Sequence, residues 1–252
     1  EKLDKQTWRC KPCTGPLTLE YEVYAWDLSV RTAHLDMTHA YFNGSSVFLA
    51  VKGREAESCT VDIQAPDGDH YANWRLATTL MRVDAVLYGF GQYQAANYEE
   101  LIDHPVEMAD FTLASFEAGG IPHDIVITGK HRADMDRLCQ DLQKICQTHI
   151  DMFGELPRME RYLFLVMVVG NGYGGLEHRS STSLLCSLPE GAFWMRTTVA
   201  RRRGVFAELP ARASFLRSVV HEAIPRTPAF PSLVFRGHHE SVAGCSDVRV
   251  LR

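Results

Sequence analysis

A His-Glu pair late in the chain has the residue types of a zinc-dependent hydrolytic site. His221 and Glu222 follow an apolar stretch. In the pattern His-Glu-x-x-His, two histidines one helical turn apart bind zinc, and the glutamate acts as general base on a zinc-bound water. Here the fifth position is Pro225, which cannot bind a metal and costs about 3 kcal/mol inside a helix. The pair therefore predicts an incomplete zinc site, with His221 as ligand and Glu222 as base; a coincidental dipeptide is the alternative.

A second candidate site combines glycines with a carboxylate. Gly174, Gly175, Leu176, Glu177 and His178 are consecutive. Glycines on an exposed strand leave room for a peptide backbone to pair alongside, and a carboxylate just after them can bind a free α-ammonium group through a charge-assisted hydrogen bond. We therefore predict that these residues bind a peptide N-terminus, with Glu177 holding the amine. The alternative is a turn in which Glu177 is only solvated.

The cysteines do not form a pattern of their own. Cys10 and Cys13 have the spacing C-x-x-C, but they precede a β-rich stretch and have no second pair to complete a zinc knuckle. Cys139 and Cys146 lie seven residues apart in a helical pattern, which predicts packed thiols in a core. The seven cysteines are an odd number, and reduced thiols in a cytoplasmic protein are the simpler interpretation.

Acidic residues and histidines also surround Pro105. Asp103, His104 and Glu107 could suggest acid–base chemistry, but the proline predicts a loop at this point. His149 falls within a helical pattern and is interpreted as a partly buried structural histidine.

Short β-strands dominate the first 130 residues. Alternating or continuous apolar runs predict strands over 17–24, 47–51, 59–63 and 124–128, with turn residues after the last three. This pattern is typical of a β-sandwich. From Met135 the apolar spacing becomes helical and stops at Gly154 and Pro157; a strand over 162–169 and a glycine-rich turn follow.

Composition excludes some classes of protein. Hydrophobic residues make up 46% of the 252 positions, as in globular proteins, and the absence of an apolar run of about 18 residues argues against a membrane-spanning helix. Residues 188–252 contain ten arginines and no lysine. The run Arg201 to Arg203 has no interleaved aromatic residues, so a nucleic-acid surface is not predicted.

Four stretches in the same order resemble the glycyl aminopeptidase family of zinc peptidases, in the gluzincin clan. The resemblance extends from about Leu3 to Cys186. The stretches are Asp4–Trp8 with Val23–Arg31, Phe42–Ser46, Leu101–Met108 and Tyr173–Thr182.

The resemblance implies an α+β chain with an N-terminal β-sandwich followed by a thermolysin-like catalytic domain. It also implies one zinc ion, peptide substrates with a free N-terminus and preferential removal of N-terminal glycine. The expected divisions are a sandwich over 1–129, the beginning of the peptidase domain over 130–187 and an atypical tail over 188–252.

The tail departs from the family abruptly. After Cys186 lysine vanishes, arginine and proline accumulate and the likeness stops, so we hypothesise a disruption of the reading frame near residue 187. Three interpretations follow: an aminopeptidase with an incomplete zinc site, a non-catalytic peptide-binding module, or an inactive fragment.

Overall fold

The computed structural model describes residues 1–11, 17–154, 158–187, 232–239 and 247–250, with the backbone alone in the last two ranges. The strands up to residue 110 are β1 (Thr7–Arg9), β2 (Leu17–Tyr24), β3 (Ala33–Leu35), β4 (His39–Phe42), β5 (Leu49–Val51), β6 (Cys59–Ile63), β7 (Arg75–Ala77), β8 (Met81–Arg82), β9 (Gly91–Ala95) and β10 (Val106–Ala109). The later strands are β11 (Thr112–Ala118), β12 (Ile121–Thr128), β13 (Tyr162–Val169), β14 (Tyr173–Glu177), β15 (Ser181–Ser187), β16 (Ser232–His239) and β17 (Asp247–Val250). The α-helices are α1 (Tyr98–Ile102) and α2 (Met135–Phe153), and short 3-10 turns occupy Gly44–Ser46 and Asp69–Tyr71.

A four-stranded antiparallel sheet forms the centre of the N-terminal part. Its strand order is β3-β4-β10-β7, and β10 pairs with β4 so that Glu107 lies opposite Tyr41. Because side chains alternate between the two faces of a strand, Phe42 and Met108 point to one side and Tyr41 and Glu107 to the other.

The first face of this sheet packs against a second sheet of order β6-β9-β8. Their shared core includes the buried residues Phe42, Leu76, Tyr93, Val106 and Met108. Apolar faces of two sheets covering each other are the defining feature of a sandwich. The predicted α+β class with N-terminal sandwich-like sheets is therefore confirmed.

Three strands of the N-terminal part pair with strands from the end of the sequence. The strand β17 pairs with both β1 and β5, and β16 pairs with β2 along its whole length. The other residues of the predicted tail lie outside the described part, as do Pro12, Cys13 and Pro157.

A five-stranded mixed sheet follows the sandwich along the chain. Its order is β11-β12-β13-β15-β14, with parallel pairing of β12, β13 and β15 and antiparallel pairing at both sides. One face carries Val126, Leu163 and Leu165, which pack against Tyr41 and Ala77 of the four-stranded sheet. The central strands are consequently buried on both faces, as expected for parallel strands.

The helix α2 covers the other face of the five-stranded sheet. Asp134 caps its first turn by accepting a hydrogen bond from the Arg137 amide at 3.0 Å, and Leu142 packs on Ile125 and Ile127. Gly154 ends the helix with a left-handed φ of 78°, which a glycine adopts without strain. The helix predicted from the spacing of Met135 to Phe153 is confirmed.

Two local expectations match the structure only in part. Residues 103–105 connect α1, which ends at Ile102, to β10, which begins at Val106, so the loop at Pro105 is present, but Glu107 lies in the strand; proline is tolerated just before a strand, where no ladder hydrogen bond is lost. The strand predicted over 47–51 begins only at Leu49, because a 3-10 turn occupies Gly44–Ser46.

The change of sheet falls earlier than residue 129. The strands β11 and β12 belong to the five-stranded sheet, so the chain leaves the sandwich between Ala109 and Thr112. The division into domains as folding units remains a prediction. In the part of the chain that the structure describes, no helix is long and apolar enough to cross a membrane.

Candidate functional site

The predicted peptide-binding residues lie on a strand at the edge of a sheet. Gly174, Gly175, Leu176 and Glu177 all belong to β14, which is last in the order of the five-stranded sheet and pairs with β15. Gly174 lies opposite Leu185, and Glu177 opposite Thr182. Within the described ranges β14 has one neighbouring strand, so its second side presents backbone groups for pairing.

The side chains of β14 alternate between two environments. Leu176 packs in the core between the four-stranded and five-stranded sheets, with Val30 and Leu185. Glu177 is exposed and points to the opposite face. That face is the one on which α2 lies; α2 runs beside β11, at the opposite side of the sheet from β14, and the apolar cluster beneath it extends to Leu184 and Cys186 of β15.

Gly174 lies close to the sandwich without being sterically required there. A Cβ atom placed on Gly174 would be 3.6 Å from Val30 Cγ2 and 3.6 Å from Leu185 Cβ, which is ordinary van der Waals contact. Packing inside the described part therefore does not explain the glycine at this position. A backbone approaching along the edge from outside does provide a reason for a residue without a side chain.

His178 has a different environment from the residues before it. Its side chain is only 5% exposed, and Nδ1 lies 3.3 Å from Asp103 Oδ1. The second oxygen of Asp103 accepts a hydrogen bond from the Arg179 amide at 3.1 Å. His178 was predicted to bind substrate together with Glu177; the structure places its imidazole against Asp103, and its role in binding stays a prediction.

Further polar contacts fix the same turn. Ser180 Oγ donates to Thr79 Oγ1 at 2.9 Å, and Thr79 Oγ1 lies 2.7 Å from His104 Nδ1. We refer to Thr79, Asp103, His104, His178 and Ser180 as the hairpin anchor, because they hold the β14–β15 hairpin to the sandwich. Sequence analysis missed this role: the residues come from segments up to 101 positions apart.

The charges of the hairpin anchor follow from burial and hydrogen bonding. Burial raises the pKa of Asp103, but the hydrogen bonds from His178 and from the Arg179 amide outweigh it, so the pKa lies below its ordinary value. Burial lowers the pKa of His104, which favours the neutral imidazole. The anchor therefore depends on an ionised Asp103.

A tyrosine connects β15 to the four-stranded sheet. The Tyr41 hydroxyl lies 2.9 Å from the Val30 carbonyl oxygen and 2.9 Å from Ser183 Oγ. A hydroxyl has one proton, so Tyr41 donates to the carbonyl and accepts from Ser183. Together with the hairpin anchor, this contact fixes the turn end of the β14–β15 hairpin.

The predicted zinc ligands cannot be placed in this geometry. His221, Glu222 and Pro225 lie outside the described residues, and for His238 and His239 only the backbone of β16 is described. The group of potential metal ligands that the described ranges contain is His34, Asp36 and His39, on the β3–β4 hairpin of the sandwich. These residues do not form a His-Glu-x-x-His helix, so they do not supply the zinc site that the resemblance implies.

Comparison with known proteins connects the N-terminal part to peptidases. Residues 1–110 match the family model of the Peptidase M61 N-terminal domain. The crystal structure of an aminopeptidase N family protein from Idiomarina loihiensis is similar over 66% of this chain, with 47% sequence identity and a TM-score of 0.63. The chain spans 28% of the length of that protein. These similarities relate the N-terminal part of the chain to peptidases.

Two further crystal structures are more distant. Aminopeptidase A from Legionella pneumophila, solved with aspartic acid, has 10% identity over 62% of this chain and 20% of its own, with a TM-score of 0.38. An M1 zinc metallopeptidase from Deinococcus radiodurans has 12% identity over 65% of this chain and 39% of its own, with a TM-score of 0.37. Similarity at this level does not define a shared fold. No curated protein shows significant similarity to the chain.

Proposed function

We propose that this chain carries the substrate edge of a zinc-dependent aminopeptidase that prefers N-terminal glycine. The observation that supports the proposal is the position of Gly174, Gly175 and Glu177 on β14, an edge strand that ends in an exposed carboxylate. The peptidase relationship of residues 1–110 gives this edge its context.

Recognition at the edge uses the backbone and one charge. An extended peptide pairs with β14 through main-chain hydrogen bonds, as in other cases of strand addition. The carboxylate of Glu177 binds the α-ammonium of the first residue, and this contact requires a free N-terminus. The hairpin anchor positions β14, because Asp103 holds the residues directly after Glu177.

Cleavage requires residues beyond this edge. Zinc, when bound in this class of peptidase, activates the water that attacks the peptide bond. In this chain His221 is the candidate ligand and Glu222 the candidate base, while Pro225 occupies the position of the second histidine. The residues that the structure describes beside β14 do not provide a ligand set, so our proposal for them is confined to binding and orientation.

Pro225 favours a second candidate function. A chain that keeps the edge strand but does not complete the zinc site is a non-catalytic peptide-binding module. This alternative shares the binding step and lacks turnover, so the two candidates differ in zinc bound at His221 and in hydrolysis. An inactive fragment, the third interpretation, lacks both peptide binding and hydrolysis.

Peptide binding tests the edge directly. A fluorescent peptide that begins with glycine is titrated with the full chain, and the same peptide with an acetylated N-terminus serves as competitor. We expect the acetylated peptide to bind about tenfold or more weakly, because a charge-assisted hydrogen bond contributes about 1.5–3 kcal/mol. A peptide beginning with leucine measures the preference for glycine.

Matched variants assign the binding to β14. Glu177→Gln removes the charge and keeps the shape, and we expect it to lose the discrimination between free and acetylated peptides. Glu117→Gln is the control, because Glu117 is exposed on β11 at the opposite edge of the same sheet. Equal affinity of the unaltered chain for both peptides would contradict the proposal.

Zinc content and turnover separate the catalytic candidate from the binding module. Metal analysis after dialysis and hydrolysis of a glycyl chromogenic substrate are measured on one preparation. Zinc binding with chelator-sensitive turnover supports the aminopeptidase. Peptide binding without turnover supports the module, and loss of both leaves the inactive fragment.

A further inference from the structure

The β3–β4 hairpin brings three potential metal ligands to one face of the sandwich. His34 lies on β3, Asp36 in the turn and His39 at the start of β4. The register pairs Leu35 with Ala40, so His34, Asp36 and His39 project from the same side of the hairpin. One donor atom from each residue lies within 4.8 Å of the other two.

The imidazoles of His34 and His39 are both buried. The side chain of His34 is 8% exposed and that of His39 10%. Nδ1 of His34 has no hydrogen-bond partner within the described ranges. The ring of His34 is therefore held by one hydrogen bond, from Nε2 to Asp36, and it is able to turn toward an ion.

A buried carboxylate holds His39 in a fixed orientation. Glu107, whose side chain is 1% exposed, places Oε1 3.1 Å from His39 Nδ1. The other ring nitrogen, Nε2, is then the one available for a ligand. A carboxylate behind a histidine is the usual outer-shell partner of a metal-binding imidazole, because it fixes the tautomer and raises the basicity of the ring.

Asp36 is also oriented by its surroundings. Its Oδ1 accepts hydrogen bonds from the Thr38 amide at 2.6 Å and from the His39 amide at 3.0 Å, which shapes the turn. Its Oδ2 lies 3.2 Å from His34 Nε2. One oxygen therefore maintains the hairpin, and the other faces the imidazoles.

We propose that His34, Asp36 and His39 bind a divalent transition-metal ion of the zinc type, with Glu107 as the outer-shell partner of His39. Two imidazoles and one carboxylate suit zinc and cobalt better than calcium or magnesium. Asp36 is partly exposed, so solvent reaches the fourth coordination position. The ion cross-links the two strands of the hairpin on the face that meets the five-stranded sheet.

Binding requires a small rearrangement of side chains. The rings of His34 and His39 are stacked, with centroids 4.9 Å apart and planes 29° apart. Ligand atoms about 2.0–2.1 Å from one zinc ion lie roughly 3.4 Å from each other, so the rings must turn toward a common point. The hydrogen bond between His34 and Asp36 is replaced by bonds to the ion.

This site is separate from the zinc site that the sequence predicts at His221 and Glu222. It lies on the sandwich, and it does not depend on the proposed peptidase function. The peptide-binding assay and the metal assay have different readouts, so either proposal fails without affecting the other.

Cobalt titration of the full chain tests the site. After treatment with a chelator, Co²⁺ is added and the visible absorption of the bound ion is followed, with equilibrium dialysis giving the stoichiometry. Asp36→Asn keeps an acceptor for the turn and removes the charged ligand; His34→Gln removes one imidazole. We expect each variant to lose one cobalt equivalent that the unaltered chain binds.

Two histidine variants serve as controls. His131→Gln alters an imidazole near α2, and His221→Gln alters the candidate ligand of the other site; both should retain the equivalent lost by Asp36→Asn. Circular dichroism under metal-free conditions checks that the variants fold. Cobalt binding that is equal in Asp36→Asn, His34→Gln and the unaltered chain would overturn the proposal.

A measurement without any variant complements this test. The nitrogen resonances of the histidine side chains are recorded for the unaltered chain during a zinc titration. We expect saturable shifts of the His34 and His39 resonances at one equivalent. Unmoved resonances of both residues at excess zinc would exclude the site.

Discussion

Asp103 connects the candidate substrate edge to the sandwich. Its carboxylate accepts from His178 and from the Arg179 amide, immediately after Glu177. The side chain is 24% exposed, so its hydrogen bonds are only partly replaced by water when they break. A single residue of the N-terminal part thus helps to determine where the edge strand ends.

The lowered pKa of Asp103 predicts a pH-dependent contribution to stability. A carboxyl group with a lower pKa in the folded state stabilises the protein above its unfolded pKa of about 3.9 and loses this effect as the pH falls through the folded value. Asp103→Asn should therefore reduce the free energy of unfolding by about 1–3 kcal/mol near neutral pH, and by progressively less as the pH falls below the unfolded pKa.

Urea denaturation at several pH values measures this effect. The exposed residue Asp67 supplies the control Asp67→Asn, which should leave the pH dependence unchanged. If Asp103→Asn and the unaltered chain differed by a constant amount between neutral and acidic pH, the ionised carboxylate would not be the stabilising form.

Sequence reasoning was more informative about residue type than about residue direction. The run from Gly174 to His178 was predicted as one binding group, yet the alternation of β14 exposes Glu177 while His178 is buried against Asp103. The contact between His39 and Glu107 joins residues 68 positions apart. Spacing within a short segment contains no information about such a pair, so the group of His34, Asp36 and His39 with Glu107 behind it was not predicted.

The ends of α2 show how local sequence determines an element. Asp134 and Gly154 are residue types that favour the beginning and end of a helix, and both act as caps in the structure. A Cβ atom at Gly154 would meet no heavy atom within 4 Å. Any cost of substituting this glycine therefore arises from backbone conformation and not from a clash.

Gly154→Ala should destabilise the protein by about 1–2 kcal/mol, because φ at this position is 78° and an L-residue is strained there. The control is Gly170→Ala, where a Cβ atom also meets open space and no left-handed φ is required. The free energy of unfolding of both variants is obtained from urea denaturation. Equal stabilities would show that the helix end relaxes without cost.

The strands whose position follows from their own side-chain pattern were predicted well. Those whose position depends on pairing with distant strands were predicted poorly. The alternation over 17–24 and 59–63 corresponds to β2 and β6 without a shift. Glu107 was expected in a loop because of Pro105, although it lies in β10, which pairs with β4 on one side and β7 on the other. Long-range pairing of this kind is absent from the local pattern.

At the scale of the described part of the molecule, three sheets and one helix form four layers with three cores between them. The four-stranded sheet lies between the β6-β9-β8 sheet and the five-stranded sheet, and α2 covers the latter from outside. Leu165 is fully buried at the interface between the four-stranded and five-stranded sheets. Its packing therefore links the sandwich to the sheet that carries β14.

Leu165→Ala should lower the free energy of unfolding by about 2–5 kcal/mol, the range for a leucine truncated in a core. Tryptophan fluorescence, with Trp74 in the sandwich core, and far-ultraviolet circular dichroism are followed during urea denaturation. Because the layers share cores, we expect both signals to change at the same, lowered midpoint. The partly exposed Val169 on the same strand supplies the milder control Val169→Ala. Two separate transitions would show that the sandwich and the five-stranded sheet unfold independently.

The arrangement of layers was the least predictable level. The strands β11 and β12 follow the sandwich without a change in the strand-like pattern of the sequence. Only the pairing of β12 with β11 and with β13 assigns them to the five-stranded sheet. The strand pattern predicted a β-sandwich and the family resemblance implied the α+β class, while the order of the sheets depends on contacts between distant segments.

The one-sided pairing of β14 has a consequence for handling the protein. A row of backbone donors and acceptors that accommodates a peptide also accommodates the same strand of a second molecule, and flat edges of this kind promote sheet-to-sheet association. The described chain has two glycines in this strand and only one charged residue, Glu177, to oppose such contact. Concentrated solutions should therefore become turbid over time, and a short peptide with a free amine should delay that turbidity by occupying the edge.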